Sequence, residues 1–150
     1  MTEHDYEKFP ELTNKQIQEF GFESPFPQIT DDFRATVIKV TDGDTITLRT
    51  EFRDFDFPLR FLNIDAPEMN AGGEEAKEWL KEMIEGTEVD IKINPDNRVG
   101  KYGRLLGKVI SMGLDMGEAE IRLGLSKPFG YKLEGQIPPV DKVFSLKQWL

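Results

Sequence analysis

Residues 37–49 constrain the fold more than any other stretch of the chain. Val37-Ile38-Lys39-Val40 and Thr45-Ile46-Thr47-Leu48-Arg49 are rich in β-branched residues, and Asp42-Gly43-Asp44 interrupts them. Two such runs around an Asp-Gly signal predict a hairpin of extended strands. A third strand follows over Phe55 to Asn63, and two more over Thr87 to Ile93 and Arg104 to Ile110, flanking a loop at Asn94-Pro95-Asp96-Asn97. Between strands three and four, residues 74–85 carry Ala76, Trp79, Leu80, Met83 and Ile84 on one stripe, with acids in the first turn and Gly86 placed to end a helix. A second short helix is expected from Met116 to Leu123, closing at Gly124, and a third over Val140 to Leu150 after Pro138-Pro139. Periodicity alone therefore gives a small α+β domain.

With 150 residues there is room for one domain with a real core and an appendage. Cysteine is absent, which excludes disulfides, thiolate metal sites and cysteine nucleophiles. The formal net charge is −9, yet residues 1–32 hold eight acids against two bases. This stretch, with Pro10, Pro25 and Pro27, a short helix expected at Asn14 to Phe20, and Phe9, Phe20, Phe22 and Phe26, reads as an acidic N-terminal arm. Its aromatic content predicts that it docks on the domain of residues 33–150 or on a protein partner. The first residues lack an apolar signal core and no apolar run approaches a membrane span, so a protein that is cytoplasmic or otherwise intracellular is the expectation.

Three motifs carry chemistry. Asp42-Gly43-Asp44-Thr45 lies in the hairpin turn, Arg60-Phe61-Leu62-Asn63-Ile64-Asp65-Ala66-Pro67-Glu68 runs off the third strand, and Lys101-Tyr102-Gly103-Arg104 opens the fifth. Taken singly, the first is an ordinary turn, the second a strand end with solvated acids, and the third an exposed basic turn. Together they offer carboxylates, which suit a hard cation such as Ca²⁺ or Mg²⁺, and guanidinium groups, whose planar fork matches phosphate oxygens. That combination is what metal-assisted phosphodiester chemistry requires. His4, the only histidine, has no ligand spacing to other residues.

In these motifs, their order and their spacing, the chain resembles the staphylococcal nuclease (thermonuclease) family over residues 35–126. The resemblance implies a five-stranded OB-like β-barrel with two or three helices, and a metal-dependent nuclease of DNA or RNA that leaves 3′-phosphate ends. It implies Asp44, Asp65 and the Ala66 carbonyl as metal ligands, for Ca²⁺ or another divalent cation such as Mg²⁺ or Mn²⁺. Arg60 and Arg104 become the catalytic arginines, and Glu68 the residue that orients or deprotonates the attacking water, with activation by the metal as the alternative. Lys101, Tyr102 and Tyr131 become substrate-binding residues, with Phe129 as a second stacking face. Three departures bear on substrate preference: the basic loop after the Asp-x-Pro-Glu motif is reduced to Met69–Gly73, Phe129 and Tyr131 stand where stacking tyrosines occur, and the terminal helix is rewritten. Degenerate members of the family serve as binding modules, so a non-catalytic nucleic-acid or protein-binding barrel is the competing reading. Clustering of carboxylates also predicts that Asp44→Ala stabilises the metal-free protein.

Overall fold

A computed structural model describes residues 11–14, 28–100 and 103–129. Eight strands occur among them: β1 (Phe33–Asp42), β2 (Thr45–Arg49), β3 (Phe57–Phe61), β4 (Ile64–Asp65), β5 (Glu88–Lys92), β6 (Leu105–Ser111), β7 (Leu114–Asp115) and β8 (Lys127–Pro128). Helix α1 is Gly73–Ile84 and helix α2 is Met116–Arg122. A single 3₁₀ turn, Met69–Ala71, precedes α1. The helix expected over 140–150 lies outside the described residues, as does that over 14–20 apart from Asn14.

The sheet runs β3-β2-β1-β5-β6-β7, and a parallel pairing of β3 with β6 closes five of these strands into a mixed barrel of the OB type. Strand β1 makes closure possible by serving two neighbours, pairing through residues 36–42 with β2 and through 33–36 with β5. Its ladder with β2 slips between Val37 and Lys39 and again between Val40 and Asp42. Such bulges bend a strand and increase its twist, which a small barrel needs. Alternation then fills the interior: Val37, Val40, Ile46, Leu48, Phe57, Leu59, Phe61, Val89, Ile91, Leu105 and Val109 are all buried. Leu80 and Ile84 of α1 and Met116 of α2 join the same core, as the stripe on α1 predicts.

The two-residue pairing of β4 with β8, Ile64 with Pro128 and Asp65 with Lys127, is too short to leave a periodic signal. It folds the chain after α2 back onto the Asp65 loop. The arm contributes too: Leu12 and Ile29 are buried, and Ile29 belongs to the core. Its described contacts include a buried polar cluster around Glu11, whereas Phe9, Phe20, Phe22 and Phe26, expected to dock it, lie outside the described residues.

Gly73 joins the Asp65–Glu68 loop to α1. Its N–H donates to the Glu68 carbonyl at 2.9 Å, and a Cβ there would stand 2.6 Å from that same oxygen and closer still to the Pro67 carbonyl. Backbone cannot yield as a side-chain tip can. Gly73→Ala is therefore expected to cost about 1–3 kcal/mol and to shift the loop. A melting temperature equal to wild type would contradict this packing.

Candidate active site

Asp44 ends the hairpin turn and is buried. Its Oδ1 accepts the Thr45 hydroxyl at 3.0 Å and its Oδ2 accepts the Ala66 N–H at 2.9 Å. One carboxylate thus ties the β1–β2 turn to the loop that carries Asp65. The turn can approach this closely because residue 43 is glycine: a Cβ there would sit 2.6 Å from the Ala76 Cβ on α1, 3.1 Å from the Ala66 Cβ and 3.0 Å from Glu120 Oε1.

Arg60 lies opposite Thr45 in the β2–β3 ladder. Its Nη1 donates to the carbonyls of Phe61 and Ile64, both at 2.9 Å, which fixes the plane of the guanidinium. Its Nη2 faces Asp44 Oδ2 at 3.3 Å and Asp65 Oδ1 at 3.2 Å. Two carboxylates from separate loops therefore already converge on one cationic nitrogen. Arg104 immediately precedes β6, which runs parallel to β3 with Arg60 beside Leu106. Its side chain reaches the Thr45 hydroxyl at 3.4 Å, so a polar chain runs from Arg104 through Thr45, Asp44 and Arg60 to Asp65.

A cleft of about 420 Å³ opens beside this chain, lined by Arg60, Asn63, Asn97, Val99, Arg104 and Phe129 among others. Phe129 is held by its N–H to the Asn63 carbonyl at 2.8 Å, and the Arg60 guanidinium carbon lies 5.9 Å from its ring centre, within cation–π range. Glu68 is exposed at the start of the 3₁₀ turn, its backbone extended at φ −59°, ψ 150°. Asp44, Arg60, Asp65, Ala66 and Arg104 thus gather in one place, with Glu68 three residues from Asp65. Lys101, Tyr102 and Tyr131 lie outside the described residues.

Among the described residues no three acid, histidine or cysteine side chains converge as a metal cage. The donors that do converge, two carboxylates, are hard oxygens of the kind Ca²⁺ and Mg²⁺ take, and both ions routinely complete their shells with backbone carbonyls and water. The pair fits such a cation in chemistry and in partial charge compensation by Arg60.

The model of the staphylococcal nuclease homologue family matches residues 58–136. The chain belongs to the staphylococcal nuclease family. Within the family it is similar to endonuclease YhcR of Bacillus subtilis (strain 168), 31% identical over an alignment of 136 residues that covers 82% of this chain and 11% of that protein. It is also 30% identical over 101 residues to an uncharacterized endonuclease of Escherichia coli, covering 66% of this chain and 63% of the relative. A micrococcal nuclease of Shigella flexneri is 35% identical over 79 residues, 52% of this chain and 42% of its own length. The chain therefore spans about a tenth of the first relative and less than two thirds of the other two. The staphylococcal nuclease match begins at Pro58 and takes in Arg60, Asp65–Glu68 and Arg104, while Asp44 precedes it. Geometry, through the bond from Ala66 N–H to Asp44, is what joins Asp44 to the matched segment.

Sequence reasoning missed two groups here. Thr45 reads as a strand former but links Arg104 to Asp44. Glu120, on α2, is fully buried beneath the Asp44 turn; its Oε1 accepts the Ser126 hydroxyl at 2.8 Å, and its Oε2 has no hydrogen-bond partner among the described residues. Burial pushes its carboxyl up to about 8, the Asp44 charge adds to the shift, and the Ser126 hydroxyl opposes it. The fold thus favours the neutral acid over the ionised one. That preference is fully present below the unfolded value of 4.5 and is lost as pH rises toward about 8. Stability should fall across this window by about 1.4 kcal/mol per pH unit from this group alone. In Glu120→Gln that slope should vanish and the protein should be the more stable one at pH 8; denaturation profiles that run parallel to wild type from pH 5 to 8 would contradict the assignment.

The expectation that Asp44→Ala stabilises the metal-free protein is corrected by the same geometry. Arg60 stands against both carboxylates, so their repulsion is already offset, and Asp44 satisfies Ala66 N–H. Its removal should cost about 1–3 kcal/mol in metal-free buffer, read as a lower denaturation midpoint; a higher one would restore the repulsion picture.

Proposed function

We propose that this domain is a metal-dependent phosphodiesterase that cleaves nucleic acid. The observation that carries the reading is the juxtaposition of two guanidinium groups, Arg60 and Arg104, with the convergent carboxylates Asp44 and Asp65 at the mouth of an open cleft. Three relatives bear names that say endonuclease or nuclease, which supports the same class.

A bound divalent cation, for which Ca²⁺ is the first candidate, would supply Lewis acidity at a phosphoryl oxygen and lower the pKa of water. Asp44, Asp65 and the Ala66 carbonyl would hold it. The residues of the chain do the rest. Arg60 binds the phosphate and stabilises charge growing on its equatorial oxygens in the in-line transition state. Arg104, approaching from β6, serves the side where the leaving 5′-oxygen gains charge. Glu68, exposed and three residues from Asp65, orients the attacking water or takes its proton. Phe129 offers a face on which a base can stack, and Lys101, Tyr102 and Tyr131 complete the substrate contacts.

One observation favours a second reading. Both terminal nitrogens of Arg60 are engaged within the protein, as they would be in a structural arginine of a non-catalytic binding module. Catalysis requires that Arg60 exchange carboxylate contacts for phosphate, which would leave Asp44 and Asp65 available to hold a cation.

Cleavage of single-stranded DNA is expected to stop in excess chelator and to return with added Ca²⁺; undiminished cleavage in chelator would exclude the metal. Arg60→Lys and Arg104→Lys should each lose about 10²–10³-fold in turnover, because a point charge lacks the planar fork. Near wild-type turnover in either would show that bidentate phosphate contact is not used, and binding without cleavage by the wild type would favour the module.

A further inference from the structure

The cleft wall beside Arg104 has a second side. Asn97, Val99 and Gly100 line the cleft, while Arg98 between them points into the N-terminal arm with its side chain 2% exposed. There Nη2 donates to Glu11 Oε2 at 3.0 Å, Nη1 to the Leu12 carbonyl at 3.0 Å and to Asn14 Oδ1 at 3.2 Å, and Nε to the Ile29 carbonyl at 2.8 Å. Glu11 in turn accepts the Ile29 N–H at 3.0 Å and pairs with Arg53 from the β2–β3 loop, whose guanidinium lies 4.7 Å from the centre of the Phe57 ring. All four groups that hold Arg98 belong to the arm.

From Arg98 the restraint passes to Arg104 along the backbone. The Leu106 N–H donates to the Arg98 carbonyl at 2.8 Å, Val99 bridges Leu105, the Gly100 N–H donates to the Arg104 carbonyl at 2.8 Å, and the Gly103 N–H donates to Gly100 at 3.0 Å. By contrast the one side-chain bond of Arg104 among the described residues, to Thr45 at 3.4 Å, is long. Its aim is therefore inherited from its loop. A buried ion pair is a poor source of stability, since apolar groups of the same volume often do as well. What a guanidinium adds is a rigid fork of donors that admits one geometry.

We propose that Arg98 is a positioning residue: through it the arm around Glu11, Leu12 and Ile29 fixes residues 97–100 and 103–104, aims Arg104 and sets the wall of the cleft. The proposal rests on the reading of that cleft as the substrate site. It makes the arm part of the active machinery from behind rather than a shield over it.

The test is Arg98→Met in the full chain, which keeps an apolar stem and leaves Glu11 paired with Arg53. Among folded molecules, turnover on single-stranded DNA with saturating Ca²⁺ should fall by about 10²-fold, the order expected for misplacing a catalytic group by an ångström, and Arg98→Lys should recover part of it. In the same variant the amides of Gly100 and Leu106 should exchange faster with solvent while those of Ile91 and Val109 keep wild-type protection. Full turnover by folded Arg98→Met, or exchange that rises equally in loop and barrel, overturns the proposal. Should Arg98→Met fail to fold, exchange in the wild type decides: Leu12, Ile29 and Leu106 must open as one unit with equal protection, and arm amides that open while Leu106 stays closed overturn it. If the wild type cleaves nothing, the reading of the cleft fails, and the exchange comparison by itself supports or overturns the coupling of arm to loop.

Discussion

The carboxylate of Asp44 is the interaction on which the candidate site depends. It is fixed by the Thr45 hydroxyl, by the Ala66 N–H and by Arg60, and so holds the hairpin turn against the Asp65 loop. The barrel brings them within reach because β3 pairs with β2 on one side and, in parallel, with β6 on the other. That parallel closure is also what sets Arg104 near Arg60, although the two are 44 positions apart in sequence. Fold and site are linked at one strand: β3 supplies Leu59 and Phe61 to the core and Arg60 to the candidate site.

Around this centre the protein buries ionisable side chains at two further places, and each restrains a loop of the site. Glu120 supports the Asp44 turn from below as a neutral acid, tied to Ser126 in the segment that leads to β8 and Phe129. Glu11, Arg53 and Arg98 lock the arm to the loop behind Arg104. Desolvated charges contribute little net stability, but directed bonds leave few alternative loop conformations. On an acidic chain this arrangement also matters electrostatically, because the cationic groups of the cleft are local rather than spread over a basic surface.

The barrel strands and α1 were legible in the sequence because alternation and a helical stripe are short-range signals that packing reinforces; β1 merely begins four residues before the Val37 run, at Phe33. The convergence of Asp44, Arg60, Asp65 and Arg104 was legible only through the combination of motifs, since each motif alone describes a common turn or strand end. Thr45 was hidden by its own β propensity. Glu120 was hidden because an acid in a short helix ordinarily faces water. The arm clasp could not be read at all: Glu11 meets partners 42 and 87 residues away, and no periodicity records such pairs, whereas the phenylalanines of the arm drew the expectation toward aromatic docking. The β4–β8 pairing, two residues long, carries no pattern either.

Cleavage of a defined single-stranded DNA oligonucleotide in ¹⁸O-labelled water with Ca²⁺, followed by mass spectrometry of the fragments, tests the central claim most directly. Attack of water on phosphorus with departure of the 5′-oxygen puts one ¹⁸O in the 3′-phosphate of the upstream fragment and none in the 5′-hydroxyl of the downstream one. An oligonucleotide that binds but stays intact, or a label found on a 5′-phosphate, would contradict it.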